Sequence, residues 1–376
     1  MKQITLNTEK GRHAVWIELF FDLVYVVALA RLTHMIVEGH NGHTGMTEYL
    51  MYFTLFVPVW WSWLGHTMFA NRFGTYDVID RLLTLMQSFF AILMALFIDD
   101  ALGESSTLFA VSYACTRYSL VLMYTRIYIS NRESRKATSG FIKGFSLGAS
   151  FWIVSIFLPE TLMYIAWVIG IFIELLTPII IRKELKLLPV HNTHLPERFG
   201  LFALLVLGES IHGIASGAQN TEFSVSLLML MFLSYTIICS VWWLYFEVIE
   251  KVFSGKLEGA AQLCIYGHLP IYMGIGLLAA GVQRLVESNY ELNELNLIFG
   301  ISLLLMLVPL QLIHFQFVTH IKSKAFLIRG ITIVLSIVLI TTVGKYINDN
   351  INVYLMILLL SLYIYSESNY FADDTI

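Results

Sequence analysis

The sequence predicts an all-α integral membrane protein of about twelve spanning helices in two parallel six-helix repeats, and three observations carry that expectation. Of 376 residues, 57% are hydrophobic and only 13% are charged, whereas an average soluble domain carries about 25% charged residues. The mean hydropathy is +0.71. The apolar residues gather into runs of about 20, the length that crosses a hydrocarbon core as an α-helix. Lysine and arginine fall on alternate connections between those runs, as the positive-inside rule requires.

The first series of runs lies at 14–37, 48–70, 82–99, 105–128, 140–158 and 161–181. The first run, ELFFDLVYVVALA onward, holds Glu18 and Asp22 four residues apart, so both acids share one helix face. The second carries Trp60-Trp61 and ends at Arg72, the third follows Asp77, Asp80 and Arg81, and the fourth holds Arg117. The fifth follows the basic segment RESRK, and the sixth holds Glu174 and ends at Arg182-Lys183.

The second series lies at 195–217, 223–247, 258–282, 294–319, 326–343 and 351–366. Its first run opens HLPERFGLF with Glu197 and Arg198 and holds Glu209 deeper in. Its second carries Trp242-Trp243 before Lys251, and its third holds His268 two residues before Pro270, a spacing that predicts a kink. The last two runs are short and uncharged apart from their flanks.

With the N-terminus in the cytoplasm, all but four of the 23 basic residues fall on inner segments or inner helix ends. The exceptions are Arg31, Arg117, Arg284 and Lys345, and outer connections such as DDALGES are acidic or neutral. An even number of spans places both termini in the cytoplasm. The matched order of an acid near the inner end of the first helix and a tryptophan pair in the second predicts a duplication, with halves at 1–190 and 191–376. Six helices per half makes the repeats parallel. Tryptophan pairs alone would also fit interface anchors.

Several classes are excluded. The net charge of −4 is dispersed, with no basic patch of the kind that binds nucleic acid. Cys115, Cys239 and Cys264 sit inside apolar runs, with neither zinc spacing nor a disulfide framework, and read as small buried hydrophobes. The polar start MKQITLNTEKGRHAV lacks a cleavable-signal pattern. The nucleotide-binding glycine motifs are missing, as are the G-x-S-x-G and H-E-x-x-H hydrolase signatures. No cofactor is expected, and any transport must draw on an ion gradient. His191 and His194 have an HxxH spacing without nearby carboxylates, so no metal site is expected.

Several segments together resemble a known family. These are ELFFDLVYVVAL after a short basic start, NRFGTYDVIDRLLTLMQ between the second and third runs, and ERFGLFALLVLGESI at the start of the second half. YACTRYSLV around Arg117 and IELLTPI around Glu174 are similar too. The chain resembles the bacterial low temperature requirement A family over essentially its whole length. Tyr25 stands where that motif commonly has Phe. The resemblance implies a multi-pass protein of the bacterial inner membrane, linked to growth in the cold, and it implies no defined activity.

The ionisable residues in the runs are the candidate functional groups, because charge within a bilayer is costly and tends to mark ion or substrate paths. At 1.5 Å per helical residue, Glu209 lies about 18 Å beyond Glu197, and Glu174 about 12 Å from the inner end at Arg182. Arg117 and His268 are similarly central. Asp22, Glu174, Glu209 and His268 form the expected ion or substrate pathway. Glu18, Arg81, Arg117, Glu197 and Arg198 form the expected pairing and gating network. Four deep acids, Glu18, Asp22, Glu174 and Glu209, face one deep base, Arg117, so pairing alone leaves acids that must be protonated or bind a cation.

Arg198 has two outlets: lipid headgroups, by snorkelling, or the acids Glu18 and Asp22. If Glu197 belongs to the same cluster as Glu18, neutralising either must alter the same property. Gly208, Gly213 and Gly217 suit close helix packing or a locally opened helix.

Three functional readings stay open. The first is secondary transport or permeation of a small solute or ion, possibly coupled to protons. The second is a membrane enzyme acting on a lipid or lipid-linked substrate at the headgroup level. The third is a structural or sensory protein without flux. The expected partners are membrane lipids and the unidentified solute or ion.

Overall fold

The computed structural model describes residues 11–39, 43–219, 221–254, 261–288, 291–317, parts of 330–341, and 355–364. Its helices are α1 (Trp16–Glu38), α2 (Met46–Phe73), α3 (Val78–Leu96), α4 (Ser106–Ser130), α5 (Arg135–Ser155) and α6 (Glu160–Ile180). The order continues with the single turn α7 (Arg182–Leu185), then α8 (His194–Ala218), α9 (Val225–Ser254), α10 (Ala261–Glu287) and α11 (Leu292–Phe317). The first ten apolar runs of the sequence thus become α1–α6 and α8–α11.

Among the described residues seven helices, α1, α3, α6, α8, α9, α10 and α11, are long and apolar enough to cross a membrane, which makes this a multi-span helical membrane protein. Helices α2, α4 and α5 have 28, 25 and 21 residues, enough length to span but with more polar side chains. The expected spans at 326–343 and 351–366 lie largely outside the described residues, where Leu355–Ile364 is a shorter apolar helix.

The chain divides into two compact units, one of residues 1–31 and 54–198, the other of 32–53 and 199–376. In the first unit α3, α4, α5 and α6 pack in sequence order, each against the next. In the second, α10 packs most extensively on α11, and α9 touches both.

On α3 and α6 the burial pattern departs from that of a soluble protein. Helix α3 buries Asp80, Thr84, Gln87 and Ser88 and exposes Ile79, Leu82, Phe89 and Ile92. Helix α6 likewise turns Leu162, Ile165, Val168, Ile169 and Phe172 outward while burying Gly170, Glu174 and Thr177. Lipid tails are as apolar as leucine, so large aliphatic side chains gain nothing by facing a neighbouring helix, and small and polar residues occupy the contacts.

Helices α5 and α6 illustrate this. Gly148 and Gly170 face each other so closely that a Cβ on either would lie 2.8 Å from the other's carbonyl oxygen. In the second unit, a Cβ on Gly217 would lie 2.7 Å from the Gln283 carbonyl oxygen on α10. Gly217 therefore has a packing role. Gly208 has open space around it.

The turn from α2 to α3 prepares the functional region. Asp77 caps α3 by accepting from the Asp80 N–H at 2.9 Å, satisfying one of the orphan donors of a helix start. Its other oxygen takes the Arg126 guanidinium of α4, which holds the Asp77 carboxyl below its ordinary value of 3.8.

A depressed carboxyl stabilises the fold at pH above its ordinary value and loses that contribution as pH falls through the lower folded value. Asp77→Asn keeps the cap but removes the charge. It is expected to cost roughly 0.5 kcal/mol at neutral pH, and thermal melts at decreasing pH should show that difference vanish below 3.8.

Candidate functional site

Glu18 and Asp22 sit on one face of the first turns of α1, buried to 1% and 2% exposure. Arg198, in the first turn of α8, is fully buried and reaches both. Its Nε donates to Asp22 Oδ2 at 3.0 Å and its Nη2 to Asp22 Oδ1 at 2.5 Å, the bidentate fork that matches a carboxylate. Nη1 lies 3.4 Å from Glu18 Oε1. The Trp63 indole N–H donates to Asp22 Oδ1 at 2.6 Å, and Thr67 Oγ1 accepts from Arg198 Nη2 at 3.3 Å. The headgroup alternative for Arg198 does not describe this side chain.

Glu18 is held from four further directions. It accepts from the Val15 N–H at 3.1 Å, His194 Nε2 at 2.8 Å and the Tyr76 hydroxyl at 3.0 Å, with Arg12 Nη2 at 3.4 Å. Arg12 also donates to the Ala70 and Asn71 carbonyl oxygens at the end of α2 and to the Tyr76 hydroxyl.

Tyr76 reaches this position through a left-handed backbone, φ +54°, a conformation that costs of order 1 kcal/mol for such a residue. Gly74 makes room, because a Cβ there would lie 2.8 Å from the Tyr76 hydroxyl. Burial and the neighbouring Glu18 carboxylate push the Tyr76 phenol up, which keeps it a proton donor.

Asn71 fixes the His194 ring. Its Oδ1 accepts from the His191 N–H at 2.8 Å, so its Nδ2 points to His194 Nδ1 at 3.1 Å. Nδ1 is then the acceptor, and Nε2–H donates to Glu18 from a neutral imidazole. With His194 neutral, the charges of Glu18, Asp22, Arg12 and Arg198 cancel within the cluster.

A second buried pair lies in the same unit. Arg117 Nε and Glu174 Oε2 are 2.7 Å apart, both fully buried. The Trp61 indole and the Tyr113 hydroxyl each donate to Glu174 Oε2 at 2.9 Å. The guanidinium lies 4.4 Å from the Phe145 ring centroid. Gly65 on α2 makes space for it, since a Cβ there would fall 2.5 Å from Arg117 Nη1. Three buried bases, Arg12, Arg117 and Arg198, therefore meet the acids of these centres, not the one expected, and no acid of either centre needs a proton for charge balance.

The other candidates take no part in the ion pairs of these centres. Glu197 is half-buried and accepts from the Ala14 N–H at 3.0 Å and pairs with His13 at 3.2 Å, so it anchors the chain entering α1 without touching Glu18. Arg81 is exposed; Asp77 and Asp80 face Arg126 instead. Arg81, Glu18, His66, Tyr76 and Asp80 line a cavity of about 10 Å³, room for about one water.

In the second unit Glu209 lies 3.8 Å from His212 on its own helix. His268 is buried and stacked on Phe199 at 4.4 Å, with Nδ1 2.6 Å from the Cys264 carbonyl oxygen. Arg284, Glu294 and His43 form a further polar cluster there: Glu294 takes Arg284 at 2.9 Å and His43 at 3.0 Å. Sequence reasoning missed it, along with the roles of Arg12, Trp63, Asn71, Tyr76 and His194. The NRFGTYD and HLPERF segments held the one available signal for the last three.

Comparison with known proteins places these residues in a family context. The family model described as bacterial low temperature requirement A protein (LtrA) matches residues 13–364, a span that includes every residue of both buried centres except Arg12. A relative from Rhizobium meliloti (strain 1021), described as uncharacterised, is 28% identical over 308 residues, covering 77% of this chain and 73% of that protein.

The geometry separates two glutamates that look alike in the sequence. Glu18→Gln breaks a buried, charge-balanced network and is expected to cost about 3 kcal/mol, whereas Glu197→Gln removes a half-exposed pair worth under about 1 kcal/mol. Thermal unfolding of the two variants in detergent measures the difference.

Proposed function

The chain belongs to the bacterial low temperature requirement A family, and within it we propose that this protein is a secondary transporter or permeation pathway for a small solute or ion, coupled to protons or another cation. One observation carries the reading: Arg198 is shared between two acids of the same helix, bidentate on Asp22 and 3.4 Å from Glu18.

A buried arginine cannot leave a carboxylate without stranding a charge, at about 3–5 kcal/mol. A proton or cation arriving at Asp22 removes that penalty by replacing the guanidinium. Arg198 then keeps Glu18 as its remaining acid. In this scheme Asp22 is the coupling group, and Glu18, His194 and Arg12 hold the site in register. Glu174 with Arg117 offers a second exchangeable pair, and Glu209 and His268 belong to the solute or ion pathway in the second unit. Glu197 and Arg81 sit at the edges of the gating network.

The proposal includes twelve spans in two parallel six-helix repeats, 1–190 and 191–376, in the bacterial inner membrane with both termini cytoplasmic. The segregation of basic residues and the paired tryptophans support this arrangement. The lipid-enzyme reading is less favoured, because the cavity beside Glu18 and Arg81 has room for about one water and none for a headgroup.

Flux in proteoliposomes tests the reading. The wild type is expected to move protons or a small cation in response to a pH gradient. Asp22→Asn, folded to the same helix content, is expected to lose at least nine-tenths of the gradient-dependent rate. Folded wild type without flux over a broad panel of solutes and ions, or Asp22→Asn with wild-type coupling, contradicts it.

A further inference from the structure

The first unit holds an apolar cavity of about 290 Å³ that the buried ion pairs do not use. Its principal lining residues are Pro58 of α2, Trp152 of α5, and Tyr164, Trp167, Val168 and Ile171 of α6. It is about twice the size of an engineered cavity of ~150 Å³ that stays dry and binds benzene.

Two polar groups of the lining are engaged elsewhere. The Tyr164 hydroxyl donates to the Leu102 carbonyl oxygen at 2.7 Å, and the Trp167 indole donates to Ser155 Oγ at 2.9 Å. The Trp152 indole N–H has no hydrogen-bond partner among the described residues, and its edge abuts Gly170. A water needs two to four polar partners to settle in such a space, and one unpaired N–H does not supply them, so hydrocarbon is the occupant that fits.

Val168 of the lining is 62% exposed, and Ile165, Ile169 and Phe172 of the same helix are exposed too. In a helix long and apolar enough to cross a membrane, exposed aliphatic side chains of this kind face lipid. We propose that this cavity takes one acyl chain of a membrane lipid.

A chain has no polar feature to recognise, and the lining is almost wholly apolar. The bilayer supplies chains at so high a local concentration that dispersion contacts with the tryptophans suffice. The stacked rings of Trp152 and Trp167, 4.7 Å apart with 14° between their planes, form a rigid wall. Trp152 lies 4.3 Å from Tyr113, and Tyr113 donates to Glu174. An inserted chain therefore braces the ring that in turn backs the Arg117–Glu174 pair. This inference stands on the cavity alone and does not depend on flux.

Tryptophan quenching by brominated chains tests it. The full-length protein is reconstituted in phosphatidylcholine vesicles with bromine at mid-chain. Emission of Trp152 and Trp167 is obtained as the difference from Trp152→Phe/Trp167→Phe. That emission is expected to be quenched, and Val168→Phe or Ile171→Phe, each filling the cavity from α6, is expected to at least halve the quenching. Exposed Trp242 and Trp243 should be quenched alike in every variant.

Two filling positions guard against one that fails to fold, and helix content by circular dichroism checks both. Quenching that is absent in the wild type, or unchanged in the filled variants, overturns the proposal. A dibromoalkane in unbrominated vesicles that quenches this emission more strongly, at equal bromine content, assigns the cavity to a free apolar solute and overturns it as well.

Discussion

Arg198 between Glu18 and Asp22 is the contact on which the described architecture of the first unit turns. An arginine with no exposure is tolerable in an apolar surrounding only if carboxylates meet it, and two carboxylates on one helix face are tolerable only if cations meet them. The two requirements fix each other. They join the first turn of α1 to the first turn of α8, 176 residues away in sequence. They also draw in Arg12, the end of α2 and the NRFGTYD turn, whose left-handed Tyr76 delivers a hydroxyl to Glu18. A network of this kind is worth more than its separate contacts, because each hydrogen bond orients the next in a low-dielectric setting.

The same rule governs the unit's second centre. Arg117 and Glu174 meet through small residues that make room for them: Gly65 beside the guanidinium, and Gly148 against the Glu174 side chain, where a Cβ would lie 2.4 Å from Cγ. In a soluble core, leucine and phenylalanine would fill such contacts. Here they face outward along α3 and α6, because contact with lipid satisfies them as well as contact with another helix. At these contacts polar pairing and close backbone approach join the burial of large apolar side chains such as Phe21, Trp60 and Leu120.

Much of this was legible in the sequence. Apolar runs of helical length foretold ten of the helices, and the four-residue spacing of Glu18 and Asp22 foretold their shared face. Arg117 and Glu174 were both recognisable as deep charges in need of partners. The destination of Arg198 was not legible, because a basic residue at a helix end can reach water or a carboxylate equally well and only tertiary contact decides. Counting charges without that contact gave an excess of acids that the structure removes for Glu18, Asp22 and Glu174, while Glu209 faces only His212 of its own helix. His194 gave an HxxH spacing, but its partner is Glu18, far off in the chain. Tyr76 depends on a backbone conformation that residue type alone does not specify.

The central claim, that Arg198 and Asp22 depend on each other for burial, is tested most directly by a double-mutant cycle with Arg198→Met, Asp22→Asn and the combination, read as unfolding free energy in detergent. Mutual dependence predicts that the double variant is more stable than the sum of the single losses implies, by about 2 kcal/mol or more. Losses that add to within about 0.5 kcal/mol would show that the two groups do not hold each other in the folded protein.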